Sequence, residues 1–270
     1  MRTQTLIAAL LFGLVCAPAC AQSAPLSGIA HVAFRVSDLD KSRQWYERLG
    51  FQKAFEFKDE SGNVTQAFIK INDRQFIELY PQTQNSPALG LTHVCYEAAD
   101  IEAVRSAYIQ RGLNPLEAKK ARAGNLLFVL HDPDGQLVEY TQYLPGSLHS
   151  EDRGKHLGGH RISDHLLGAT LQVKNVAAER AFYVEKLGFA NSGLIAGRTT
   201  LRVGRDELKL EPASVNVIGE IVLQTQSAKR TAKTLRGLGL DPKMAGKTVQ
   251  VRDPDGDIIV FATVHARSER

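Results

Sequence analysis

Two histidines and two glutamates stand where the sequence gives charge little reason to be. His31 sits in the apolar run Ile29-Ala-His-Val-Ala-Phe, and His93 in Leu91-Thr-His-Val-Cys-Tyr. Glu78 is the centre of Phe76-Ile-Glu-Leu-Tyr, and Glu139 of Leu137-Val-Glu-Tyr-Thr. Such runs read as strands, in which successive side chains alternate between faces. Glu78 therefore shares a face with Phe76 and Tyr80, opposite Ile77 and Leu79, while Glu139 lies opposite Val138 and Tyr140. A carboxylate so placed is costly to bury unless a partner or a metal compensates it. His31 precedes Glu78 by 47 residues and His93 precedes Glu139 by 46. Each pair thus joins a first strand to a last strand. If the two pairs face one another they make a His₂Glu₂ set, whose nitrogen and carboxylate donors suit one divalent ion: Zn, Ni, Fe, Mn or Co.

The elements that must position these residues repeat. Ile29 to Val36 reads as a strand and Ser37-Asp38 as a helix cap. Leu39, Ser42, Trp45, Tyr46 and Leu49 then recur at helical spacing until Gly50 stops the helix. Strand-like runs follow at Gln52 to Phe57, Val64 to Ile71 and Gln75 to Tyr80, separated by turn residues. A second unit opens at Leu91, with a helix from about Asp100 to Gly112 and a third strand expected around Leu116. It closes with a hairpin, Leu126 to Leu130 and Leu137 to Tyr143, around Asp132-Pro-Asp-Gly.

The plan then returns. Val36-Ser-Asp-Leu through Leu49-Gly-Phe is echoed by Val173-Lys-Asn-Val through Leu187-Gly-Phe, and Asp132-Pro-Asp-Gly by Asp253-Pro-Asp-Gly. The chain is therefore α+β, four βαβββ modules paired into two tandem domains at residues 27–145 and 162–266. Aligning the repeats sets Gly168 against His31, Glu220 against His93, Val260 against Glu139, and Lys209 or Leu210 against Glu78. The second domain keeps the plan without the ligands. Between the domains, residues 146–161 are Gly-rich and aperiodic, a tether or a surface strap. His149, His156, His160 and the adjacent His165 match no compact ligand spacing.

Composition narrows the remaining possibilities. A chain of 270 residues, 43% hydrophobic and 23% charged, is an ordinary globular one of about two domains. Its net charge of +4 is scattered, which argues against a nucleic-acid footprint. Residues 1–21 have the layout of a cleavable signal peptide: Met1-Arg2, an apolar Leu6 to Val15, and Ala19-Cys-Ala as the cleavage site. The apolar run is too short for a membrane span, so the expectation is an exported protein, periplasmic or secreted. Cys16 and Cys20 fall in that segment, leaving Cys95 unpaired within a strand and read as a buried thiol. Lys119, Lys120 and Arg122 read as a solvated loop with the charge to grip an anionic substrate.

These motifs, with Asp132-Pro-Asp-Gly-Gln-Leu-Val-Glu, resemble the vicinal oxygen chelate superfamily, which includes glyoxalase I, methylmalonyl-CoA epimerase, bleomycin-resistance proteins and extradiol dioxygenases. The resemblance covers both domains and extends to the four ligand positions of the glyoxalase and epimerase branch, His31, Glu78, His93 and Glu139. It implies a metal-dependent lyase or isomerase acting on a small oxygen-chelating substrate, with Glu139, or secondarily Glu78, releasing the metal to act as base. The alternatives are a ring-cleaving dioxygenase using His31, His93 and Glu139, and a non-catalytic small-molecule binder. Glutathione is scarce outside the cytoplasm, so export argues for a substrate other than that of glyoxalase I. The partners expected are a small-molecule substrate, no nucleic acid and no membrane span, in a monomer or homodimer.

Overall fold

Each long helix begins where a side chain supplies the acceptor that the first turn lacks. Asp38 and Asp100 accept from the backbone N–H of Lys41 and Ala103, both at 3.0 Å. Asn175 and Ser227 do the same in the second half. The computed structural model describes residues 26–195, 198–212 and 218–263. The proposed signal peptide lies outside them.

In the first half the order is β1 (Leu26–Val36), α1 (Leu39–Arg48), β2 (Gln52–Lys58), β3 (Val64–Lys70), β4 (Phe76–Pro81), β5 (Gly90–Ala98), α2 (Ile101–Gln110), β6 (Lys119–Lys120), β7 (Leu126–His131) and β8 (Leu137–Gln142). A short helix, α3 (Leu148–Glu151), interrupts the linker. The second half runs β9 (Leu166–Val173), α4 (Val176–Ala181, continued by one wider turn to Lys186), β10 (Ala190–Ile195), β11 (Arg198–Val203), β12 (Asp206–Pro212), β13 (Ile218–Thr225), α5 (Ala228–Gly237), β14 (Lys243–Ala245), β15 (Thr248–Arg252) and β16 (Ile258–Thr263).

Each half makes one eight-stranded sheet, ordered β2-β3-β4-β1-β5-β8-β7-β6 and β10-β11-β12-β9-β13-β16-β15-β14. The first strands of the two modules, β1 and β5, lie antiparallel at the centre, each flanked by its own module's last strand in parallel. This is the tandem βαβββ architecture expected from the repeats, each sheet curled into a half-barrel. The third strand of the second module is displaced from the expected position. Leu116 is 61% exposed, and it bonds Val129 without extending into a strand; the pairing falls instead on Lys119 and Lys120. With so little side chain buried, sequence pattern had no hold on that edge.

Alternation sorts the side chains as the sequence implied. Val32, Ile77, Leu79, Val94, Val138 and Tyr140 are buried on one face, and with Leu171, Tyr183, Leu208 and Ile221 of the second sheet they form one continuous core. Tyr96 meets Phe189 across it at 5.0 Å between ring centres. The opposite face of the first sheet carries His31, Glu78, His93 and Glu139.

Candidate metal centre

Strand register brings the four residues together. His31 pairs with Cys95 across β1 and β5, Ala33 pairs with both Glu78 and His93, and Cys95 pairs with Glu139. His31 Nε2 lies 3.2 Å from His93 Nε2, 3.1 Å from Glu78 Oε2 and 3.3 Å from Glu139 Oε1. His93 Nε2 lies 3.5 Å from Glu78 Oε2 and 3.9 Å from Glu139 Oε2. Bonds of about 2.1 Å to one ion set neighbouring donor atoms roughly 3.0 Å apart in an octahedron and roughly 3.4 Å apart in a tetrahedron. The spacings among His31, His93 and Glu78 fit such a set, and Glu139 adjoins it through His31. Two imidazole nitrogens aimed at each other beside two buried carboxylates also need a proton or a cation between them.

The electrostatics follow from that crowding. Burial alone raises Glu78, but His31 and His93 outweigh it and hold its carboxyl well below the usual range. Glu139 is lowered in the same way, burial opposing and His31 and His93 prevailing. His31 is driven well above its ordinary value: burial resists, while the ionised Glu78 and Glu139 favour the charged ring.

The two glutamates differ in their support. Glu78 Oε1 accepts from Tyr80 Oη at 2.7 Å and from Gln66 Nε2, leaving Oε2 for the cluster. Gln66 also donates to Tyr80 Oη at 2.9 Å. Burial and the neighbouring Glu78 push the Tyr80 phenol up, so it remains a neutral donor. Among the described residues Glu139 meets, outside the other three, only the thiol of Cys95, and its side chain is 13% exposed against 4% for Glu78. Thr92 Oγ1 lies 3.3 Å from His93 Nδ1, whereas His31 Nδ1 is buried with no hydrogen-bond partner among the described residues.

Three neighbours were not legible as site residues. Cys95 is the buried thiol expected, yet it forms a second possible ligand group with His31 and Glu139. Period-two alternation puts it on the face of His93, a signal its position in the strand did carry. Burial pushes its thiol up, so it stands protonated. Gln66 and Tyr80 share the face of Glu78 by the same rule.

The linker is an ordered strap. Lys70, fully buried, donates from Nζ to Asp152 Oδ2 at 2.8 Å and bridges to Asp73 at the same distance. His149 turns inward among Phe55, Phe68, Phe76 and Tyr143, with ring centres 4.6–5.2 Å away. His156 pairs with Asp152 and His165 with Asp206, so the linker histidines are dispersed rather than gathered. Arg122 lies over the Phe57 ring at 4.4 Å and donates to Lys58 O at 2.6 Å, which makes it a brace between strands. Lys119 and Lys120 remain exposed.

Comparison with known proteins agrees with this arrangement. Residues 30–129 match the family described as Glyoxalase/Bleomycin resistance protein/Dioxygenase superfamily. The chain is 32% identical over 127 residues to an ethylmalonyl-CoA/methylmalonyl-CoA epimerase of Cereibacter sphaeroides, covering 42% of this chain and 95% of that one. In fold it resembles the Mn(II)-bound glyoxalase from Novosphingobium aromaticivorans, with TM-score 0.69, 18% identity, and 88% and 82% of the two chains covered. It also resembles the 2,3-dioxygenase LapB from Pseudomonas sp. KL28, with TM-score 0.67, 15% identity, and 92% and 96% covered. Paired βαβββ modules, a match across the first module pair and a relative covered almost end to end establish that the chain belongs to the vicinal oxygen chelate superfamily, the glyoxalase/bleomycin resistance protein/dioxygenase group.

Proposed function

We propose that the chain is a divalent-metal-dependent lyase or isomerase, acting on a small substrate that offers two adjacent oxygens. The observation that carries this reading is the asymmetry of the two glutamates. His31, His93 and Glu78 are the fixed ligands, Glu78 because Tyr80 and Gln66 hold its second oxygen. Glu139, supported among the described residues only by the weak thiol donor of Cys95 and more open, is free to leave the cluster and take a proton from the carbon next to a carbonyl. A divalent ion bound there supplies Lewis-acid polarisation of that carbonyl. Four protein ligands favour this chemistry over ring cleavage by dioxygen, which needs three ligands and more open positions. The reading includes export, on the strength of residues 1–21.

Elemental analysis of purified protein tests it first: about one divalent ion per chain is expected, lost on Glu78→Ala. Glu139→Gln is expected to keep the ion and lower proton exchange at the substrate carbon by roughly 10²–10⁴-fold. Full activity in Glu139→Gln would remove the assignment of the base, and protein isolated without stoichiometric metal would favour a binding protein.

A further inference from the structure

The second sheet has its own version of the cup, and its register settles what replaced the ligands. Gly168 pairs with Glu207 and Val222 as His31 pairs with Phe76 and Cys95. Thr170 pairs with Lys209 and Glu220 as Ala33 pairs with Glu78 and His93. Val222 pairs with Val260 as Cys95 pairs with Glu139. Lys209, not Leu210, therefore stands in the place of Glu78. A side chain at Gly168 is excluded, since its Cβ would come within 2.3 Å of the Glu207 carbonyl oxygen.

Charge in this cup has changed sign. Glu220 accepts from Thr170 Oγ1 at 2.9 Å and is neutralised by Arg198, which also pairs with Glu211. What remains is a cavity of about 590 Å³, bordered by Arg202, Arg205, Glu207, Lys209 and Val222 with small apolar residues between them. The volume lies in the range of small-molecule sites, roughly 300–1,000 Å³. Three cationic side chains face one carboxylate. Lys209 Nζ reaches Glu207 only at 4.0 Å, and Arg202 and Arg205 make no ion pair among the described residues.

We propose that this second cup binds a small organic anion, a carboxylate or phosphate on an apolar body, with Lys209 and Arg202 receiving the charge and Val222 the apolar part. A solvated cation at the rim of a concave apolar surface concentrates anions there, and each charge-assisted hydrogen bond adds to affinity. Such a site is independent of the metal centre, because it uses none of the first sheet's residues.

Titration calorimetry and ligand-detected NMR on the full chain, with hexanoate, hexanamide and hexylamine as probes, test the proposal. Hexanoate is expected to bind at least about tenfold more tightly than either other probe. Lys209→Met and Arg202→Met, which keep length and remove charge, are each expected to weaken hexanoate by about tenfold and leave hexanamide unchanged. Lys209→Glu should reverse the preference toward hexylamine, a gain that a misfolded variant cannot produce. His31→Ala should leave hexanoate binding intact. The proposal is overturned if hexanoate does not bind, if the three probes bind alike, if Lys209→Met and Arg202→Met both bind hexanoate as the parent does, or if His31→Ala abolishes binding.

Discussion

At the scale of single residues, the candidate centre is a set of four side chains and the neighbours that fix one of them. Tyr80 and Gln66 converge on Glu78 Oε1, a buried carboxylate that has little rotational freedom left. Such supports typically change metal affinity or activity 10–100-fold. Tyr80→Phe keeps the ring packing and removes one donor. It is therefore expected to raise the dissociation constant for the ion by roughly tenfold with little change in Tm, read by competition with a chelator. A variant with unchanged affinity would show that Gln66 alone holds Glu78. The four charged positions were legible in the sequence because each breaks an apolar strand. Tyr80 and Gln66 were not, because a polar residue beside a glutamate on a strand is unremarkable until the direction of its hydroxyl or amide is known. Cys95 lay between: alternation gave its face, but only the register that sets it between His31 and Glu139 gives it a place in the cluster.

At the scale of elements, the strap is the part that pattern could not foresee. Residues 145–160 have no period, and what orders them is tertiary: Lys70 gripping Asp152, and His149 inserted among four aromatic rings. Neither ring nitrogen of His149 has a hydrogen-bond partner among the described residues, and burial, reinforced by His31, pushes its pKa from 6.5 to about 3. A depressed imidazole means that the unfolded chain takes up a proton which the folded chain refuses. The resulting loss of stability is absent above the ordinary value of 6.5 and grows as pH falls from there toward 3. His149→Phe fills the same cage without polar atoms. It is expected to raise stability by about 1–3 kcal/mol near neutrality, the cost of an unsatisfied buried polar group. The difference in Tm should widen between pH 7 and pH 5. A lower Tm for the variant would mean that the ring nitrogens are paired in solution. The strands and long helices, by contrast, were readable from alternation and caps, except where the edge pairing at Lys119 and Lys120 buries nothing.

At the scale of the molecule, the two Asp-Pro-Asp-Gly turns clasp the domains together about an approximate two-fold. Gly135 and Gly256 take φ of 84° and 94°, which lets each turn close tightly. Asp134 Oδ2 accepts from the backbone N–H of Lys174 at 2.6 Å, and Asp255 Oδ2 from that of Ser37 at 3.1 Å, the corresponding position of the other domain. The motif was visible twice in the sequence as a turn; its role as a clasp depends on how the domains meet. Around it, buried carboxyls are raised. Burial and the adjacent Asp132 push Glu179 up to about 8, burial pushes Asp132 and Asp253 to about 6, and burial with Asp253 and Asp255 takes Asp257 to about 7. A carboxyl raised in the folded state keeps a proton that the unfolded chain releases. Its contribution is complete below the ordinary carboxylate range and is lost as pH rises through about 6 to 8. Glu179 is fully buried, and its Oε1 accepts from Asp134 N–H at 2.8 Å. Glu179→Gln keeps an acceptor for that bond and removes the titration. Thermal unfolding across a pH series should find the difference between parent and variant constant below about pH 4 and changing as pH rises from there. By pH 9 the variant should have gained roughly 1 kcal/mol or more on the parent, some 2–4 °C in Tm per kcal/mol for a chain of this size. Parallel curves across the whole series would show that Glu179 titrates normally and that the clasp does not set the alkaline limit of the fold.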